Sequence, residues 1–100
     1  MEARTIDPPA ARDPRPVADE YAVLGRRVQV AMIDDTGIVR HMPDYRAASE
    51  VYTDGGRQFV NVVAEADWYA WRDAQKRHVP GTPERCPGAI AAPAVSVWVE

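Results

Sequence analysis

One hundred residues with a formal net charge of −3 make one domain at most, and no field that favours nucleic acid or an anionic membrane. A single cysteine, Cys86, excludes an intrachain disulfide, so the fold does not depend on an oxidising compartment. The longest apolar run, 89–95, is too short to span a bilayer and is broken by Pro93.

The N-terminus has acids and prolines but no apolar core of a signal peptide, so the expected compartment is the cytoplasm, with no membrane insertion. Eleven arginines stand against one lysine, Lys76, and alanine is the commonest residue, which fits a GC-rich bacterial or phage coding sequence. Valine and isoleucine fill seventeen positions, whereas leucine fills one, Leu24. Leucine is a good helix former, while β-branched side chains lose rotamer freedom in helices and suit a pleated sheet. The core is therefore expected to be built from strands.

Residues 1–20 hold four prolines and eight charged side chains. They offer almost nothing to bury, so the composition predicts an extended Pro-rich arm rather than a packed element. Pro8, Pro9, Pro14 and Pro16 stiffen it and are candidate partner contacts. Residues 21–100 are expected to form the domain.

From Tyr21 the pattern changes to period two, with Gly25-Arg26 read as a bulge or break and Val28, Val30 and Met32 on one face. Asp34-Asp35-Thr36-Gly37 reads as a type I turn closed by a left-handed glycine, and Ile38 to Met42 as the returning strand. Positions 43–53 fit both a helix (Tyr45, Ala48, Tyr52) and a strand (Tyr45, Ala47, Ser49, Val51); the strand is preferred. Asp54-Gly55-Gly56 then turns into Arg57–Ala64. This strand is expected at the centre, because Phe59, Val60, Val62 and Val63 offer apolar groups to both faces.

Glu65 to His78 is the one clear helix, with acids at its start and bases at its end. Asp67 is the expected N-cap, and Pro80-Gly81 the expected stop. Residues 79–93 read as a Pro-rich loop and Ala94–Glu100 as a final strand. The expected fold is α+β: an antiparallel sheet of about four strands, β-β-β-α-β, with one helix packed on one face.

The candidate chemistry is sparse. Trp68 and Trp71 lie one turn apart, as anchors of the helix or as an aromatic platform for a base or peptide. Trp98 shares a strand face with Ser96 and Glu100, which suits either an interface or packing on the second sheet face. Cys86, His41 and His78 show no metal-ligand spacing, so no metal or other cofactor is expected. A Cys86–His78 nucleophile pair has no helix N-terminus to activate the thiol. Asp34 and Asp35 are read as turn formers. Arg26, Arg27, Arg57 and Arg72, with Arg77, are the residues a nucleic-acid face would use, but acids are interspersed among them.

One helix cannot cover both faces of a sheet. By strand phase Val39, Phe59, Val63 and Trp98 lack cover, and an uncovered apolar face is a mark of association. The leading expectation is a non-enzymatic interaction module, a small regulatory or assembly subunit whose partner is another protein or a copy of itself. Strand addition along Ala94–Glu100 is one expected mode. The alternatives are a nucleic-acid-binding module and a small enzyme or ligand binder around the Cys86 loop.

Overall fold

A computed structural model describes residues 15–20 and 22–100 of the chain. Seven short strands and one helix follow in the order β1 (Arg15–Pro16), β2 (Arg27–Ile33), β3 (Val39–Ala47), β4 (Tyr52–Asp54), β5 (Arg57–Ala64), α1 (Glu65–Lys76), β6 (Ile90–Pro93) and β7 (Val97–Val99). The α+β class is therefore as expected, but the sheet has seven strands rather than four. Single 3-10 turns occupy Val17–Asp19 and Ala94–Ser96.

All strand pairs are antiparallel, in the order β1-β7-β2-β3-β5-β4, with β6 on the other edge of β5. β6 and β7 belong to one stretch of chain interrupted by the Ala94–Ser96 turn. The first lies against β5 and the second against β2, so the sheet curls upon itself.

Valine and alanine fill the space inside the curl. Val17, Val23, Val28, Val60, Val62, Val97 and Val99 are each no more than 1% exposed and pack with Val30, Ala47, Ala92 and Ala94. Small β-branched side chains suit a tightly curled sheet whose walls lie close together. The imbalance between valine and leucine is thus the sequence trace of a narrow interior.

β5 is not central in the strand order, but it is paired along both edges, by β3 and β4 on one and β6 on the other, and is apolar on both faces as its pattern predicts. Val60 and Val62 face the interior, while Val63 on the opposite face is covered by α1 together with Trp68 and Cys86. β5 runs straight into α1, and for that reason Asp67 is not the N-cap. Ala64 holds that position without a side-chain cap, and Glu65 begins the helix. The Arg27 Nη2 and Nε groups donate to the two Glu65 oxygens at 2.9 and 3.0 Å. The Arg46 guanidinium lies 5.2 Å from the Tyr69 ring and donates to the Gly25 carbonyl at 3.0 Å. These contacts tie the start of the helix to β2 and β3.

The helix stops two residues earlier than expected, and Pro80-Gly81 is not what ends it. His78, with a φ of 53°, takes the left-handed position, donating to the Gln75 carbonyl while Val79 donates to that of Ala74. These two bonds are a Schellman cap.

Part of the expected arm is built into the domain. Arg15 and Pro16 pair with Val99 and Trp98, and Val17 is fully buried. The edge of β7 foreseen for strand addition is therefore occupied in part by β1. The expected final strand is likewise broken: Ala94–Ser96 is a 3-10 turn that leaves Val95 76% exposed.

Segment 43–53 is strand at both ends. β3 continues to Ala47 and β4 begins at Tyr52. Val30 pairs with Met42 but Val28 with Tyr45, so Pro43 and Asp44 form a bulge, with Asp44 at a φ of 67°. No described helix is long and apolar enough to cross a membrane.

Candidate functional site

The hairpin of β2 and β3 is longer than the strands beside it. β7 lies along β2 only from Val28 to Val30, and β5 lies along β3 only from Tyr45 to Ala47. Residues 31–42 therefore form a two-stranded ribbon with no further strand beside it among the described residues. At about 3.3 Å per residue it extends roughly 10 Å before the turn.

The turn is built as its sequence requires. Asp34 donates from its backbone N–H to the Ile38 carbonyl, and Gly37, at a φ of 83°, donates to the carbonyl of Asp34. The Asp34 carboxylate accepts from the Thr36 hydroxyl at 2.6 Å, from the Thr36 and Ile38 amides, and from Arg40 Nε at 3.0 Å. These donors, the Thr36 hydroxyl first and Arg40 next, lower its pKa from 3.8 to about 2. Both of its oxygens serve the turn, so it is not a free catalytic base.

A carboxyl depressed on folding stabilises the folded turn above its unfolded value and loses that contribution as pH falls through the folded one. The turn is thus expected to hold at pH 4 and to loosen as pH approaches 2. Side-chain NMR titration of Asp34, with the Thr36 and Ile38 amide shifts as reporters, checks this. A midpoint at 3.8 or above would show that the four bonds do not persist in solution.

The ribbon carries apolar side chains on both faces. Ile33 and Val39 oppose each other on one face, and Met32 lies on the other, opposite Arg40. Ile33 and Ile38 are each 56% exposed and Met32 is 38% exposed, while Val39 is half-buried. A lone two-stranded ribbon is marginal in water, and exposed aliphatic groups on both of its faces add no stability of their own.

The other expected contact residues do not form one open face. Val63 is under the helix, and Trp98 is only 6% exposed, with His41 edge-on at 5.6 Å between ring centres. Phe59 is half-buried and stacks on Tyr52 at 6.1 Å. The curling of the sheet and the extra strands divide these residues between the wall, the helix side and the ribbon. Pro16 is an exposed residue of β1. Pro8, Pro9 and Pro14 lie outside the described residues.

The arginines do not assemble into a basic face either. Arg27 is held by Glu65 and lies 3.7 Å from Glu100, and Arg26 lies 3.6 Å from Glu20. The hydrogen bond from Arg27 keeps the Glu65 carboxyl below its ordinary value, and the same pair raises Arg27. Arg72 bonds Gln75, and Arg57 is exposed at the start of β5, paired with Asp54.

A groove of about 670 Å³ runs between the 48–52 segment and the 84–86 loop, with Leu24, Tyr52, Asn61, Trp71 and Cys86 in its lining. Trp71 is fixed there by its ring N–H, which donates to the Pro83 carbonyl at 2.9 Å. The Glu50 carboxylate is committed to the Val23 and Leu24 amides. Cys86 is buried, and burial, followed by the charge of Asp67, raises its pKa, the reverse of an activated thiolate. His78 serves the helix cap. No group of three potential metal ligands occurs among the described residues.

Sequence reasoning located Val39 but passed over Met32, Ile33 and Ile38. The available signal was their position: large aliphatic residues immediately flank a turn, where polar side chains are usual. No family model matches the chain, and neither a curated protein nor a solved structure matches it.

Proposed function

We propose that this protein is a non-enzymatic interaction module, a small assembly or regulatory subunit that docks through the β2–β3 ribbon. The observation that carries this reading is the ribbon itself: apolar on both faces, longer than the strands that flank it, and held by a turn that uses every oxygen of Asp34. Insertion of its end into a partner would bury Met32, Ile33, Ile38 and Val39 together. The non-enzymatic part of the reading rests on the ionisable groups that sequence reasoning had singled out. Among these, Asp34 and Arg27 are spent on internal pairs, and Cys86 is buried with a raised pKa.

The test is site-specific photo-crosslinking in the native host, with a photoreactive side chain at position 33 or 38 and, as a control, at position 95. Val95 is the most exposed of the large apolar residues described. Discrete adducts at 33 and 38, several-fold above those at 95, are expected. Equal labelling at all three positions would end the proposal.

A further inference from the structure

We infer that the groove on the outer face of β5 is a binding site for a flat, uncharged heterocycle that presents a carbonyl beside an N–H, the lactam edge of a pyrimidine or purine base. This goes beyond the docking role of the ribbon and does not depend on it.

Side chains alternate along β5, so Phe59, Asn61 and Val63 share its outer face. Val63 packs with Trp68, and Phe59 is stacked on Tyr52. Asn61 lies between these two contacts, a half-buried polar residue flanked by apolar ones, and lines the groove of about 670 Å³. Small-molecule sites occupy about 300–1,000 Å³.

The polar groups here leave a defined set of bonds to be made. The Tyr52 hydroxyl donates to Asn61 Oδ1 at 2.7 Å, so the Tyr52 oxygen is left only to accept. The Asn61 Nδ2 group has no partner among the described residues and keeps both of its donors. The Ser49 hydroxyl in the same lining is already spent. It accepts from the Asn61 backbone N–H at 2.9 Å and donates to the Glu50 carbonyl at 2.8 Å. A carbonyl beside an N–H answers what remains: the carbonyl accepts from Asn61 Nδ2, and the N–H donates to the Tyr52 oxygen.

The walls favour a flat and neutral ligand. Trp71 is half-buried in the lining and is fixed by its bond to the Pro83 carbonyl, while Tyr52 is 36% exposed and braced by Phe59. Both rings are therefore held before a ligand arrives, and stacking on them costs little ordering. Glu84 and Arg85 also line the groove, and their adjacent charges cancel. Glu50 is committed to the Val23 and Leu24 amides. The net charge of −3, with Arg26 and Arg27 engaged by carboxylates, favours a free base or nucleoside over a nucleic-acid strand.

The experiment is an NMR titration of the full isotope-labelled chain with uridine as the probe, up to about 10 mM. The Asn61 side-chain amide and the Trp71 indole N–H are expected to shift together and to saturate, with a dissociation constant of about 1 mM or tighter. The Gly37 and Ile38 amides on the ribbon are expected to stay in place. The probe 3-methyluridine keeps the carbonyls but lacks the N–H, and is expected to bind at least ten-fold more weakly. This comparison needs no altered protein. Asn61→Asp keeps an acceptor for the Tyr52 hydroxyl and removes both donors. It is expected to lose at least ten-fold in affinity for uridine with its near-UV circular dichroism unchanged.

Absence of a saturable shift, equal binding of uridine and 3-methyluridine, or a folded Asn61→Asp that binds uridine as the parent does would each overturn the inference. A short oligouridylate presents the same edge on a strand and is expected to bind no more tightly per base than uridine. Binding more than ten-fold tighter per base, and weakening as salt rises, would overturn the assignment to a free ligand.

Discussion

Replacing Trp68 with alanine is expected to lower unfolding stability by about 3–5 kcal/mol, the usual cost of deleting a buried aromatic side chain. Trp68 is 9% exposed and packs with Val63 and Cys86 on the outer side of β5. Its ring lies 5.2 Å from that of Trp71. It also fits against the backbone at Gly25, where an added Cβ would stand 3.3 Å from Trp68 Cζ2 and where φ is +85°. The ring thus joins the helix, β5 and the loop leading into β2. A domain of this size has only about 5 kcal/mol to lose, so the variant should be largely unfolded or should release its helix. Denaturant titration followed by near-UV circular dichroism measures the loss. A change below about 1 kcal/mol would mean that the helix is not anchored through this residue.

The second large effect is expected at Val17, in the stretch that composition assigns to the arm. The residue is fully buried and packs with Val23, Val28, Val97 and Val99, next to the β1–β7 pair. Val17→Asp would place an unpaired carboxylate in an interior of valine and alanine, at a cost of about 4 kcal/mol or more. The control is Val95→Asp, at a position open to solvent, which should shift stability by no more than about 0.5 kcal/mol. Thermal unfolding of the two variants side by side decides the matter. If both melt together with the parent, the segment around Val17 is not part of the cooperative unit.

Local features were the readable part of this fold. The excess of valine over leucine announced a sheet, and Asp34-Asp35-Thr36-Gly37 announced a turn whose left-handed residue is indeed Gly37. The two-sided pattern of Phe59 to Val63 announced a strand covered on both faces. Long-range pairing was not readable. Ile90–Pro93 is too short and too small in side chain to register as a strand, and it becomes one by lying along β5. Trp98 suited either an interface or packing on the second sheet face; it is buried, and phase alone does not say what covers a face. The candidate site was missed for a related reason. Periodicity assigns side chains to faces, but it does not tell how far neighbouring strands reach. The exposure of Ile33 and Met32 follows from β7 ending at Val30, a fact held by residues more than sixty positions away.

The direct passage of β5 into α1 has a consequence for how this chain can vary in length. A helix advances about 100° per residue, so one residue inserted between Ala64 and Glu65 would swing Trp68 away from Val63 and take Glu65 out of reach of Arg27. The joint transmits any such change at full angle, because no slack segment lies there to absorb it. Insertions and deletions accepted by natural variants should therefore gather in the stretch after the helix, and the junction itself should keep a constant spacing.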